Sequence, residues 1–155
     1  MTILKRLQLT ALFIGLLSLS TFAFSQDGFN QPSIEGSWSA AVTIDQGPTI
    51  VALVTYAAGG GLTESDILFP PSQVSTGHGS WSGNRRVVTN TIVKLNFNAA
   101  GQFVGTIKVR ERVVLSRDGD EYQGAGKAEI FDPQGNLVAS INFTTQGRRI
   151  EVESL

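Results

Sequence analysis

Apolar and polar residues alternate along much of this chain. Ile34, Gly36, Trp38, Ala40, Val42 and Ile44 share one parity, while Glu35, Ser37, Ser39, Thr43 and Asp45 occupy the other. Successive side chains of a strand point to opposite faces, so the pattern predicts a half-buried strand with Trp38 on its apolar face. Asp45-Gln46-Gly47-Pro48 reads as a turn, and residues 49–58 as a second, more uniformly apolar strand. Gly59-Gly60-Gly61 permits the next reversal into a short strand over 62–68. That strand stops at Phe69-Pro70-Pro71-Ser72, because proline has no N–H to give to a central ladder. Beyond an irregular 69–78 segment, strands are predicted over 79–82, 86–97, 102–116, 121–131 and 136–145, with a last piece at 148–152. Asn98-Ala99-Ala100-Gly101, Arg117-Asp118-Gly119-Asp120 and Asp132-Pro133-Gln134-Gly135 supply turn chemistry between them. No stretch beyond residue 25 holds a 3.6-residue period, so the predicted class is all-β.

About eight antiparallel strands in simple up-and-down order have a natural solution in a single closed β-barrel, which removes exposed edges. A two-sheet sandwich is the alternative, and it demands longer crossovers than most of these short turns allow. A barrel of about eight strands is either filled by side chains or wide enough to hold one small ligand.

The N-terminus follows different rules. Lys5 and Arg6 precede an uncharged apolar run from Leu7 to Phe24, and Ala23 and Ser25 place small residues three and one before Gln26. This is the layout of a secretory signal helix cut after Ser25; an uncleaved anchor is the alternative. The expected organisation is a signal peptide over 1–25, a linker over 26–33 and a barrel domain over 34–155. With 0 cysteines, an exported chain has neither disulfides nor a lipid-modified N-terminal cysteine, which suits a periplasmic or secreted bacterial protein. A formal net charge of −1, with Arg85-Arg86 and Arg148-Arg149 as the basic clusters, argues against a nucleic-acid partner. No membrane association is expected after signal cleavage, and no motif specifies an oligomeric state.

Gly36-Ser37-Trp38 resembles the Gly-x-Trp that opens the barrel of lipocalins and other calycins. The resemblance implies that Trp38 closes one end of the barrel against an arginine near the end of the last strand. Arg148 or Arg149 stands there, and Arg148 is assigned; a plain core aromatic is the other role open to Trp38. The wider cadence is similar to that of small secreted bacterial barrels of the allene-oxide-cyclase-like type. It comprises Gly59–Gly61, Pro70-Pro71, Gly77-His78-Gly79-x-Trp81 and Phe131-Asp132-Pro133-x-Gly135-Asn136.

Strand parity nominates the interior. Phe103, Gly105, Ile107, Val109, Glu111, Val113 and Leu115 share one parity, so an otherwise apolar face carries one carboxylate, Glu111. Buried without a partner, it would hold its proton to a raised pKa. By the parity of Val87, Val93, Leu95 and Phe97, its inward companions on the preceding strand are Thr89 and Thr91. The following strand offers Tyr122 beside small Gly124, Gly126 and Ala128. A few polar groups in an apolar pocket are the composition of a small-molecule site. Alternatively, a β-bulge shifts the register and turns Glu111 out toward Arg110 or Arg112. His78, the 1 histidine of the chain, lies between two glycines, where it is either a turn residue or a proton carrier paired with Glu64 or Asp66 across the mouth. A lone histidine without cysteine builds no recognisable metal site, and no cofactor is expected.

Three functions compete. The first is an exported barrel binding a small apolar or amphipathic molecule through Glu111, Tyr122, Thr89, Thr91 and His78, with the 69–78 loop as a lid. The second is a cyclase or isomerase of the allene-oxide-cyclase-like type, which requires Glu111 or His78 to line the cavity. The third is a protein-binding barrel resembling periplasmic protease inhibitors, with a filled interior.

Overall fold

The computed structural model describes residues 32–84 and 86–154; the expected signal peptide, and all of the expected linker except Pro32 and Ser33, lie outside them. Eight strands run in chain order: β1 Gly36–Ile44, β2 Thr49–Tyr56, β3 Gly61–Asp66, β4 Gly77–Asn84, β5 Val87–Phe97, β6 Phe103–Leu115, β7 Glu121–Phe131 and β8 Leu137–Arg149. Each pairs antiparallel with its neighbours, and β8 returns to β1, so the sheet is a closed barrel of sequential order. Closure pairs each strand on both sides, so no strand is left as a free edge.

The hairpins at the open end use one local device twice. Asn98 Oδ1 accepts from the Ala100 and Gln102 amides, and Asp132 Oδ1 accepts from those of Gln134 and Asn136. In both, the turn ends on a glycine at positive φ, Gly101 at 74° and Gly135 at 86°, a region glycine reaches without steric cost.

Several boundaries differ from expectation: β2 and β3 each end two residues early, at Tyr56 and Asp66. The strand predicted over 79–82 is longer, running over Gly77–Asn84, so His78 belongs to β4 and not to a turn. The last two pieces form one thirteen-residue strand, continuous through Gly147. The Tyr122 ring occupies the space where a Gly147 side chain would stand.

Two β-bulges near the open end decide which parity faces inward. On β5 and β6, Phe97 pairs with Phe103 but Asn96 pairs with Gly105, which inserts Val104 as the extra residue. On β7 and β8 the same happens at Val138, between the Phe131–Leu137 and Ile130–Ala139 pairs. A one-residue insertion reverses the parity relation between paired strands. Odd-numbered residues of β6 therefore share the interior with even-numbered residues of β5.

The core lies toward the closed end. Ile34, Trp38, Tyr56, Val88, Val113 and Leu115 are fully buried there. Trp38 meets Tyr122 edge to face at 5.0 Å, and its indole N–H donates to the Ile34 carbonyl at 2.8 Å. The chain before β1 is thus drawn across this end.

Candidate ligand cavity

The closed end is sealed by Arg149, not Arg148. Residues paired across a ladder share a face, and Trp38 is paired with Arg149, whereas Arg148 is opposite Ser39. The Arg149 guanidinium lies 4.3 Å from the Trp38 ring centroid, a cation–π contact. It also donates to the carbonyls of Ser33 and Glu35, each at 2.7 Å, and to that of Gly119 at 2.7 and 3.1 Å. Gly36 has a physical role in this arrangement, since a Cβ there would stand 2.8 Å from Arg149 Nη1 and the backbone has φ +117°. Arg148 points outward, its side chain 80 % exposed, and reaches Glu121 at 3.1 Å.

Toward the open end the interior is not filled. A cavity of about 110 Å³ runs between the strands, lined by aliphatic side chains that include Val42, Ile92 and Val109. Leu68, Phe69 and Val74, from the segment between β3 and β4, line its mouth. That segment is tied down at both ends: Asp66 Oδ1 accepts from the Leu68 amide at 2.8 Å, and the Ser75 amide donates to the Leu95 carbonyl at 3.0 Å.

Glu111 lines this cavity, so the open-end bulge leaves it inside. Its Oε2 accepts from Asn90 Nδ2 at 3.1 Å, and its Oε1 from the Thr145 hydroxyl. Gly124 makes the meeting possible, because a Cβ at that position would collide with both Glu111 Oε1 and Thr145 Oγ1. Burial pushes the Glu111 carboxyl above its ordinary range, and the two hydrogen bonds only partly oppose this. Asn90 Nδ2 also donates to the Tyr56 hydroxyl at 3.0 Å, which links Glu111 to the core.

Tyr122 lines the same cavity and is 2 % exposed. Its hydroxyl has no hydrogen-bond partner among the described residues. Burial, reinforced by the nearby Tyr56, Glu111 and Glu64, raises its pKa, so it remains a neutral phenol.

A second polar group stands nearer the mouth. Lys94, on the inward face of β5, lies 2.6 Å from Glu64 Oε2 and also pairs with Asp66. Burial alone would favour loss of its proton, but the two carboxylates outweigh it and Lys94 stays charged. Glu64 is pushed up by burial and drawn back by Lys94. Gly77 gives this cluster room, since a side chain there would meet Ile92 and approach both Glu64 and Lys94.

The remaining expected site residues lie elsewhere. Thr89 and Thr91 are exposed on the outer face, paired with Arg112 and Arg110. His78 is also on the outer face, between Thr63 and Val93, while Glu64 and Asp66 point inward to Lys94. The cavity therefore brings together Glu111 and Tyr122 from the expected set and excludes Thr89, Thr91 and His78. Asn90 and Lys94, on the even parity of β5, take the places that the parity of Val87 had assigned to the threonines, and Thr145 joins them from β8. The Val88–Ile92 pair on the even parity of β5 was the available signal for them. Among the described residues no group of three or more His, Asp or Glu side chains is placed to hold a metal ion.

These features define a class: a small, closed, eight-stranded antiparallel β-barrel, sealed by a tryptophan–arginine contact at one end and carrying a largely apolar cavity at the other. Comparison of the chain with protein-family models, with curated proteins and with solved structures finds no match.

Proposed function

We propose that this chain is an exported calycin-like barrel that takes a small apolar or amphipathic molecule into its interior. The carrying observation is the cavity of about 110 Å³, with aliphatic walls and a few converging polar groups, Glu111 and Tyr122 among them. A dry apolar cavity of about 150 Å³ holds a benzene molecule, so the expected ligand is compact or slender. Leu68, Phe69 and Val74 at the mouth give the segment between β3 and β4 the position of a lid.

The N-terminal pattern of Lys5-Arg6, an apolar run and Ala23-Phe24-Ser25 supports export to the periplasm or beyond. The calycin-like assignment rests on Gly36-Ser37-Trp38 together with the Trp38–Arg149 contact. A protein-binding barrel with a filled interior is disfavoured by the cavity. Catalysis of the cyclase or isomerase kind keeps one supporting observation, the inward position of Glu111, and loses His78 as an agent.

Native mass spectrometry of the mature chain, purified gently from an exporting host, tests the reading. A bound small molecule that is lost on denaturation, and absent from an Ala128→Leu variant that fills the cavity, is the expected result. A clean apo mass, together with no uptake of any member of a panel of small apolar compounds, would refute it.

A further inference from the structure

The cavity's polar equipment is unevenly charged. Its lining contains three carboxylates, Glu64, Asp66 and Glu111, and one cation, Lys94. Lys94 is committed to Glu64 and Asp66. Among the described residues, Glu111 is served only by neutral donors, the Asn90 amide and the Thr145 hydroxyl, and no cation of the cavity lining pairs with it. A carboxylate keeps lone pairs beyond two accepted bonds, so Glu111 has unused acceptor capacity. Tyr122, 2 % exposed and lining the same cavity, adds a hydroxyl without a partner among the described residues.

A buried carboxylate and a buried phenol pose a defined requirement. Each must be met by a polar atom or remain a cost to the fold. A ligand carboxylate would add a fourth negative group to a lining with one cation already engaged. An aliphatic ligand would leave the Tyr122 hydroxyl and the spare lone pairs of Glu111 unmet. A protonated amine reverses the balance, because it donates to Glu111 as a charge-assisted bond and has further N–H groups for the Tyr122 oxygen.

We propose that the barrel interior selects small apolar amines, with the ammonium between Glu111 and Tyr122 and the apolar body toward Val42, Ile92 and Val109. The proposal rests on the binding reading above and sharpens it from any amphipathic molecule to a cationic one. The Lys94 cluster stands nearer the mouth, where Glu64 and Asp66 neutralise the one cation that would otherwise repel the ligand. Burial raises the Glu111 pKa, and a bound ammonium opposes that shift by favouring the ionised carboxylate.

The test uses three compact probes of similar shape and different charge: isobutylamine, isobutanol and isobutyrate. Each is titrated into the mature wild-type protein near neutral pH, and amide chemical shifts of cavity residues are followed. Isobutylamine is expected to bind about tenfold tighter than isobutanol, as one charge-assisted hydrogen bond allows, and isobutyrate weakest. Glu111→Gln is expected to abolish the preference for the amine over the alcohol, and Tyr122→Phe to weaken the amine by a smaller factor. Equal binding of amine and alcohol, or tightest binding by isobutyrate, overturns the selection of amines and leaves the binding cavity standing. If none of the probes shifts a cavity amide, the binding reading fails and the selection of amines fails with it. The ranking by the wild-type protein is decisive even if a variant does not fold.

Discussion

Replacing Arg149 by alanine is expected to destabilise the barrel far more than the same change at its neighbour Arg148. The guanidinium of Arg149 satisfies three carbonyl oxygens, those of Ser33, Glu35 and Gly119, and lies 4.3 Å from the Trp38 ring centroid. The Ser33 and Glu35 carbonyls are at an exposed rim, so water can replace part of what is lost, and each such bond is worth about 1 kcal/mol net. Stacking on a buried indole contributes about 1 kcal/mol more. The loss is therefore about 3–4 kcal/mol, a large share of the roughly 5–15 kcal/mol that holds a domain folded. Arg148 reaches Glu121 at 3.1 Å, with side chains 80 % and 61 % exposed, and its removal should cost under about 0.5 kcal/mol. Arg149→Lys keeps the charge but not the fork that spans three acceptors, so it should recover less than half of the loss. Urea unfolding followed by tryptophan fluorescence measures all three variants. Equal losses for the alanine variants of Arg148 and Arg149, or a loss below about 1 kcal/mol for Arg149→Ala, would refute the assignment of closure to Arg149.

Other consequences follow from the interior. Burial raises the Glu111 pKa above its ordinary value of 4.5, so the folded state binds that proton more tightly than the unfolded chain. The resulting stabilisation is complete below the unfolded value and is lost as pH rises through the folded one. Urea midpoints of Glu111→Gln should accordingly gain on wild type as pH rises above 4.5, and parallel curves would contradict this. Lys94→Met strands Glu64 and Asp66 without their cation and should cost about 3–5 kcal/mol at neutral pH, with the deficit shrinking in acid; a deficit that does not vary with pH would argue against the ion pairs. A side chain at Gly79 would run into the Thr91 carbonyl, a backbone group that cannot turn aside. Gly79→Ala should therefore lose more than about 3 kcal/mol, and a midpoint near wild type would show that β4 and β5 are less closely apposed. His78→Ala should change stability by less than about 0.5 kcal/mol and leave ligand uptake intact, because the imidazole faces away from the cavity.

The all-β class, the order of the strands and most of their ends were legible in the sequence, because alternation and turn chemistry are local. A reversal at Asn98–Gly101 or Asp132–Gly135 is written in the residues that make it. Glu111 and Tyr122 were also legible as inward groups, each standing on the predominantly apolar or small-residue parity of its own strand. What no single strand records is the relation between strands. Val104 shifts the β5–β6 register by one residue, and this alone exchanges Thr89 and Thr91 for Asn90 and Lys94 in the interior. Hydrophobicity pointed the wrong way there, since β5 carries Val93 and Leu95 on its outer face, 39 % and 47 % exposed, and a lysine on its inner one.

Charge made the lysine unreadable as a core residue. A lysine is almost never fully buried unless paired, and its partners Glu64 and Asp66 come from β3, roughly 30 residues earlier in the chain. The same holds for the choice between two adjacent arginines: the β1–β8 register sets Arg149 opposite Trp38, and that pairing joins the first strand to the last. The sequence by itself determined the strands and the face each would prefer. Closure of the sheet decided which faces meet, because a cross-strand neighbour is fixed by hydrogen-bond register and that register is shared by segments far apart in the chain.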